Sequence, residues 1–424
     1  MNPNANEMKP NSPQTNRVPP ASHRQPPRRL AGPTGSARRP GLAGALLLLL
    51  LSLLAGVAPS AAAAEGSSTK TKNVFLITLD GLRWQEVFTG AEALLLSPDH
   101  GGVADVARLR RAFWRETPEA RRAALLPFVW SVIANEGQLF GNQHQGSVAR
   151  LTNGKKFTYP GFNEILTGFA DPRIDSNAKR PNPNVTVLEW LHRQPAFRRR
   201  VAAFANWDVF PYILNAQRSG IPVWTGYAET GSARRGTRLE LIEQQFRGIT
   251  PLWEGMNFDV FFAQAALEAL RETRPRVVWI AFSEPDEWAH EGRYDYYLLA
   301  THRIDSYVRR LWETAQTLPA YRGKTTFILT TDHGRGSGPT AWKDHGASVQ
   351  GAEDIWIAVL GPDTPPLGER VNAAPVAQNQ IAATLAALLG EDYRRAVPQA
   401  GAPIRDVLPR ERRPGAMDSR RPTR

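Results

Sequence analysis

The sequence predicts an α/β protein with a mostly parallel central sheet, helices on both faces, and inserted segments that cap it. Two observations predict this class. Short apolar runs rich in β-branched residues recur along the chain, and helical patterns separate them. Strands that alternate with helices form parallel sheets covered on both sides.

The runs, in order, are Val74–Leu79 (VFLITL), Val201–Ala205, Val277–Phe282, Thr325–Thr331 and Ile355–Leu360. Helical patterns cover Asp295–Thr314 and Val376–Leu389, the second closed by Gly390 where a C-terminal glycine belongs. The segments Glu86–Gln143 and Asp208–Asn257 fit this rhythm poorly and are expected as insertions forming a cap or pocket wall. Trp207, Trp224 and Tyr227 lie in or beside the second; they could stack on a planar group, but aromatic core packing is the preferred reading.

The net charge of +12 suggests a nucleic-acid partner until it is located. Residues 1–40 carry +6 and residues 409–424 carry +4, which leaves the body near +2. No nucleic-acid binding is inferred. Gly41–Val57 is apolar, preceded by arginines and followed by Pro59-Ser60 and four alanines. Residues 1–64 therefore read as a basic leader with a secretory signal, residues 70–408 as a catalytic domain, and residues 409–424 as a frayed basic tail. The expected location is periplasmic or secreted. An uncleaved segment would instead anchor the chain to a membrane. With no cysteine, thiolate metal sites and cysteine nucleophiles are excluded, so any metal must be held by His and carboxylates.

The ends of the predicted strands carry the chemistry. The first ends in Asp80-Gly81; another in Ser283-Glu284-Pro285-Asp286, followed by His290; a third in Asp332-His333-Gly334, with Asp344-His345-Gly346 beyond it. Ligands of such sheets gather at the carboxyl ends of strands. An Asp after a strand is ordinarily a turn or cap residue, and a lone His an ordinary hydrogen-bonder. Three acids and three imidazoles, Asp80, Asp286, His290, Asp332, His333 and His345, delivered to one edge form a metal-ligand set. Asp286 and His290 are four apart, which puts both on one helical face. A mixed N/O set suits two divalent ions, zinc best among the common metals. Two such ions can clamp an in-line displacement at phosphorus.

Thr158, in Lys156-Phe157-Thr158-Tyr159-Pro160-Gly161, is the candidate nucleophile. Pro160 suits the first turn of a helix, which places Thr158 at its positive N-terminal end. A threonine there is by itself an ordinary cap; the ligand set makes it a nucleophile.

These motifs resemble the alkaline phosphatase-like superfamily, especially its nucleotide pyrophosphatase/phosphodiesterase-like branch, over most of Asn73–Gly390. The resemblance implies that Asp80, Thr158, Asp332 and His333 share one metal, and that Asp286, His290 and His345 hold the other. It implies that Thr158 takes the phosphoryl group of a small phosphate ester and then loses it to water. Relatives active on diesters often read Thr-Phe-Pro-Asn-His, the Asn helping to bind phosphate oxygens; here Gly161 stands at the Asn position, and Asn163 is the candidate phosphate-binding residue. Sulfatases need a convertible Cys or Ser in a Cys/Ser-x-Pro-x-Arg motif. The sequence Thr158-Tyr159-Pro160-Gly161-Phe162 offers neither that residue nor the Arg. The expected activity is hydrolysis of phosphate mono- or diesters. The alternatives are a phosphonate hydrolase or phosphoethanolamine-type transferase on the same scaffold, or a binding protein without turnover.

Overall fold

The computed structural model describes residues 69–225 and 236–409. The leader through residue 64, Tyr227, and all of the basic tail except residue 409 lie outside the described residues.

The strands are β1 (Asn73–Leu79), β2 (Gln138–Phe140), β3 (Ala149–Arg150), β4 (Val201–Phe204) and β5 (Val223–Trp224), then β6 (Val277–Phe282), β7 (Thr325–Thr330), β8 (Ile357–Leu360), β9 (Gly368–Glu369) and β10 (Val376–Ala377). Eight form one sheet in the order β5-β4-β6-β1-β7-β8-β2-β9, and β10 pairs with β3 apart from it. All five predicted strands are present. The ladders β5-β4-β6-β1-β7 and β2-β9 are parallel, while β8 runs antiparallel to both neighbours. The sheet is thus mixed but mostly parallel.

Strand β1 shows why these runs are apolar throughout. Phe75, Ile77 and Leu79 enter one core, and Val74 and Leu76 enter the core on the opposite face. A strand covered on both sides has no solvent face on which to alternate polarity. The first core is closed by the helices Asp259–Glu272 and Tyr294–Thr317, the second by Thr158–Thr167, Val187–Arg193 and Ile381–Leu388.

The segment Glu86–Gln143, expected as an insertion, belongs to the sheet's own covering layer. Its Val87, Phe88, Leu109, Phe113, Leu125 and Phe128 are core residues, and it delivers β2 to the sheet. Its helices are short and broken by turns, so no long period was available to read. In the second expected insertion, Trp224 is buried edge-on against Phe246, 5.7 Å between ring centroids, as core packing requires. The predicted late helix begins later than its pattern. Val376–Ala377 is strand β10, Gln378–Gln380 a tight turn of helix, and Ile381–Leu388 the helix proper. Gly390 closes it with φ +83°.

Candidate metal centre and nucleophile turn

Register assembles the site. Leu79 lies opposite Phe282 and Thr78 opposite Thr330, so β6, β1 and β7 end level with one another. The residues that follow are Asp80, the Ser283-Glu284-Pro285-Asp286 turn, and Asp332-His333. The ladder continues one step past β1, where Asp80 N–H donates to Phe282 O at 2.8 Å. Gly81 N–H then donates to Asp332 Oδ1 at 3.3 Å, tying two strand ends together. Gly81 has φ +61°, and any Cβ there would run into Asp286 Oδ1 and the Arg335 guanidinium.

The helix Glu284–His290 places Asp286 and His290 one turn apart, with Asp286 Oδ2 and His290 Nε2 at 3.2 Å. The Nε2 atoms of His290 and His345 are 2.9 Å apart. His333 Nε2 lies 3.2 Å from Asp80 Oδ1, 3.5 Å from Asp332 Oδ2 and 3.7 Å from Asp286 Oδ1. His345 Nε2 is 3.8 Å from Asp286 Oδ1. All six predicted ligands therefore converge. The tightest groupings are Asp80, Asp332 and His333 on one side and Asp286, His333 and His345 on the other. His333 stands between them, a position its motif did not reveal.

The donor set fits divalent cations. Asp80 Oδ1, Asp332 Oδ2 and His333 Nε2 are buried and without a hydrogen-bond partner, although buried polar atoms are almost always satisfied. His333 Nδ1–H donates to Gly334 O at 3.0 Å, so its Nε2 turns a lone pair toward the carboxylates. Lone pairs facing one another across 3.2–3.7 Å repel; donors around a tetrahedral ion bound at about 2.0–2.1 Å stand roughly 3.3 Å apart. Burial, and then Asp286, holds the Asp80 carboxyl well above its ordinary range; burial, and then Asp80, does the same to Asp332. Burial also acts to raise Asp286, but Arg335, His345 and His290 outweigh it and keep that carboxyl well below its usual value. His345 is pushed down to about 2, by burial first and then by His333. A neutral imidazole is the form that binds metal.

Thr158 is buried and opens the helix Thr158–Thr167, with Pro160 in its first turn as predicted. Tyr159 N–H donates to Asn177 Oδ1 at 3.0 Å, which brings an Asn side chain beside the nucleophile turn. The same turn packs on β7's end: a Cβ on Gly161 would overlap Asp332 O and lie 3.1 Å from Asp332 Cβ. That contact accounts for the glycine at 161. Asn163 is fully buried and faces elsewhere. Its amide nitrogen donates to Phe169 O, and its oxygen accepts from Asn182 and Asn184. None of these is in the cluster.

Sequence reasoning missed Arg335. It is buried, paired with Asp286, and held by the carbonyls of Trp342 and Lys343. Its signal was its place, two residues after His333. Asn177 had no such signal, because it lies in a loop and reaches the site only through tertiary contact.

The family model of "Type I phosphodiesterase / nucleotide pyrophosphatase" matches residues 159–384, more than half of the chain. This chain belongs to the type I phosphodiesterase/nucleotide pyrophosphatase family. The span matched to the family includes Asp286, His290, Asp332, His333 and His345, begins one residue after Thr158, and excludes Asp80. The crystal structure of wild type alkaline phosphatase PafA shares the fold, with a TM-score of 0.51 at 10% identity over 80% of this chain and 99% of that one. A protein in the alkaline phosphatase superfamily from Vibrio parahaemolyticus aligns at 13% identity over 77% and 69% of the two chains, TM-score 0.43. The phosphonate monoester hydrolase of Agrobacterium radiobacter aligns at 14% over 75% and 74%, TM-score 0.44. No protein of curated function matches the sequence.

Proposed function

We propose that this family member is an exported phosphoesterase, a phosphodiesterase before a monoesterase, with Thr158 as its nucleophile. The observation that carries the reading is the buried convergence of Asp80, Asp286, Asp332, His333 and His345 at the edge where the Thr158 turn packs. Two divalent cations, zinc by the mixed N/O donor set, would supply positive charge to the attacking and leaving oxygens of the displacement. Asp80, Asp332 and His333 would hold one, and Asp286, His290 and His345 the other, with His333 near both.

The chain's own residues do the rest. The N-terminal end of the helix Thr158–Thr167 favours the ionised Thr158 oxygen, which attacks phosphorus while the ester's alcohol departs and takes a proton from solvent. Water then cleaves the phospho-threonine bond, restoring the Thr158 hydroxyl and releasing the phosphate product. Asn177, bonded to the next backbone N–H, is placed to position a phosphate oxygen. Asn163 is committed to Asn182 and Asn184 and takes no part. The leader through residue 64 would direct export and, left uncleaved, would anchor the chain to the membrane. No helix among the described residues is long and apolar enough to cross a membrane.

The test is trapping. Zinc-loaded protein mixed with bis-p-nitrophenyl phosphate and acid-quenched should carry one p-nitrophenyl phosphoryl group on the peptide containing Thr158, by mass spectrometry. Label on another residue, or turnover by Thr158→Ala at the wild-type rate, refutes the nucleophile.

A further inference from the structure

The opposite edge of the sheet carries a second pattern. The residue before each of four adjacent parallel strands is a cation: Arg200 before β4, Arg276 before β6, Lys72 before β1 and Lys324 before β7. Register sets them side by side, since Val201 pairs with Val277, Val74 with Val277, and Asn73 with Thr325. With Arg274 they line a cleft of about 550 Å³ that no acidic residue lines.

Their charges are not neutralised within the fold. Lys72 Nζ donates to Thr69 O, Arg276 to the carbonyls of Lys72 and Ala196, Arg200 to Arg274 O, and Lys324 Nζ to Pro319 O. Carbonyls satisfy N–H groups without cancelling charge. Among the described residues none of the five lies within ion-pair distance of a carboxylate. Burial, and then the Arg200 charge, holds the Arg276 guanidinium below its ordinary value against a weaker pull from Glu391. Burial and a neighbouring like charge both act in that direction. The catalytic edge lies one strand away, roughly 23 Å by the rise of the seven residues of β1.

The chain itself says what this edge meets. It enters the described structure at Thr69, and Lys72 lines the cleft. Fourteen residues separate Lys72 from Val57, the end of the apolar stretch, a reach of at most about 50 Å. The sequence thus places an apolar segment within tether length of a row of unpaired cations, the combination that anionic bilayers attract.

We propose that this edge, through Lys72, Arg200, Arg274, Arg276 and Lys324, docks on the anionic headgroups of a membrane and leaves the catalytic edge facing water. The test uses the full chain and vesicles of phosphatidylcholine with and without phosphatidylglycerol. Arg200→Glu/Arg274→Glu/Lys324→Glu should weaken the phosphatidylglycerol-dependent part of binding by roughly tenfold or more. Binding to neutral vesicles and hydrolysis of a soluble ester should stay unchanged. The neutral variant Arg200→Gln/Arg274→Gln/Lys324→Gln should show a smaller loss of the same sign, and it decides the matter if the reversed-charge variant does not fold. Equal phosphatidylglycerol dependence in wild type and variant overturns the proposal and assigns the attraction to the basic tails. So does loss of single-stranded oligonucleotide binding with vesicle binding intact.

Discussion

The Nδ1–H of His345 donates to the backbone oxygen of Lys156 at 3.1 Å. Lys156 precedes Thr158 by two residues and is held at φ +58°, so the turn that presents Thr158 also sets the tautomer of His345. Glu164 steadies the same turn from below, accepting from Thr152 N–H at 2.9 Å, from the Thr152 hydroxyl and from Asn153. The Thr158 turn and the His/Asp cluster are one mechanical unit.

Their separation by mutation should still be clean at Thr158. Thr158→Ala should lose turnover by several orders of magnitude while metal content stays at wild-type level, because the six His and Asp donors are untouched. Thr158→Ser should keep measurable activity through its hydroxyl. Steady-state rates alongside metal analysis check both, and a Thr158→Ala protein stripped of metal would show that the threonine is chiefly a ligand.

His333 and His345 should differ in kind. His333 lies within 4 Å of carboxylates belonging to both groupings, whereas His345 approaches only Asp286 among the acids. If the cluster takes up two zinc ions as proposed, His345→Ala should release about one of them and His333→Ala should weaken both. Titration calorimetry with zinc resolves the two cases. Identical stoichiometry in the two variants would contradict the shared position of His333.

Gly161→Ala tests the contact between the nucleophile turn and β7. The added methyl group meets the carbonyl of Asp332, which Gln378 Nε2 already holds at 2.8 Å and cannot release without cost. We expect a loss of about 1–3 kcal/mol in stability, with weaker metal binding because Asp332 must shift. Denaturant unfolding with and without zinc measures it. Wild-type stability and affinity would mean that the two segments move apart freely.

Asp305 offers a pH test away from the site. Its oxygens accept from Phe128 N–H at 2.8 Å and Val129 N–H at 3.0 Å, and burial raises its carboxyl from 3.8 to about 6 despite those bonds. The folded state therefore holds this proton more tightly than the unfolded chain. The stability it confers is full below pH 3.8 and is lost as pH rises through about 6. Between pH 4 and 7 wild type should lose about 2 kcal/mol relative to Asp305→Asn. Unfolding curves of both proteins across that range give the difference, in which the shared metal-site carboxylates cancel. A gap that does not change with pH would rule out this buried ionisation.

The sequence by itself determined the strands and the carboxylates and imidazoles at their ends. Runs such as Val74–Leu79 are apolar because both faces of the sheet are covered, and Asp80, Asp286 and Asp332 follow strands that end level. Period and position are local properties, so they can be read in one dimension. Tertiary structure alone decided what depends on which segments meet. It drew the broken helices of Glu86–Gln143 into the covering layer and turned Asn163 toward Asn182 and Asn184. It brought Asn177 beside Thr158, set Arg335 against Asp286, and aligned four cations from four strands along the far edge. Those relations join residues tens to hundreds of positions apart. Packing and register fix them, and no local pattern records them.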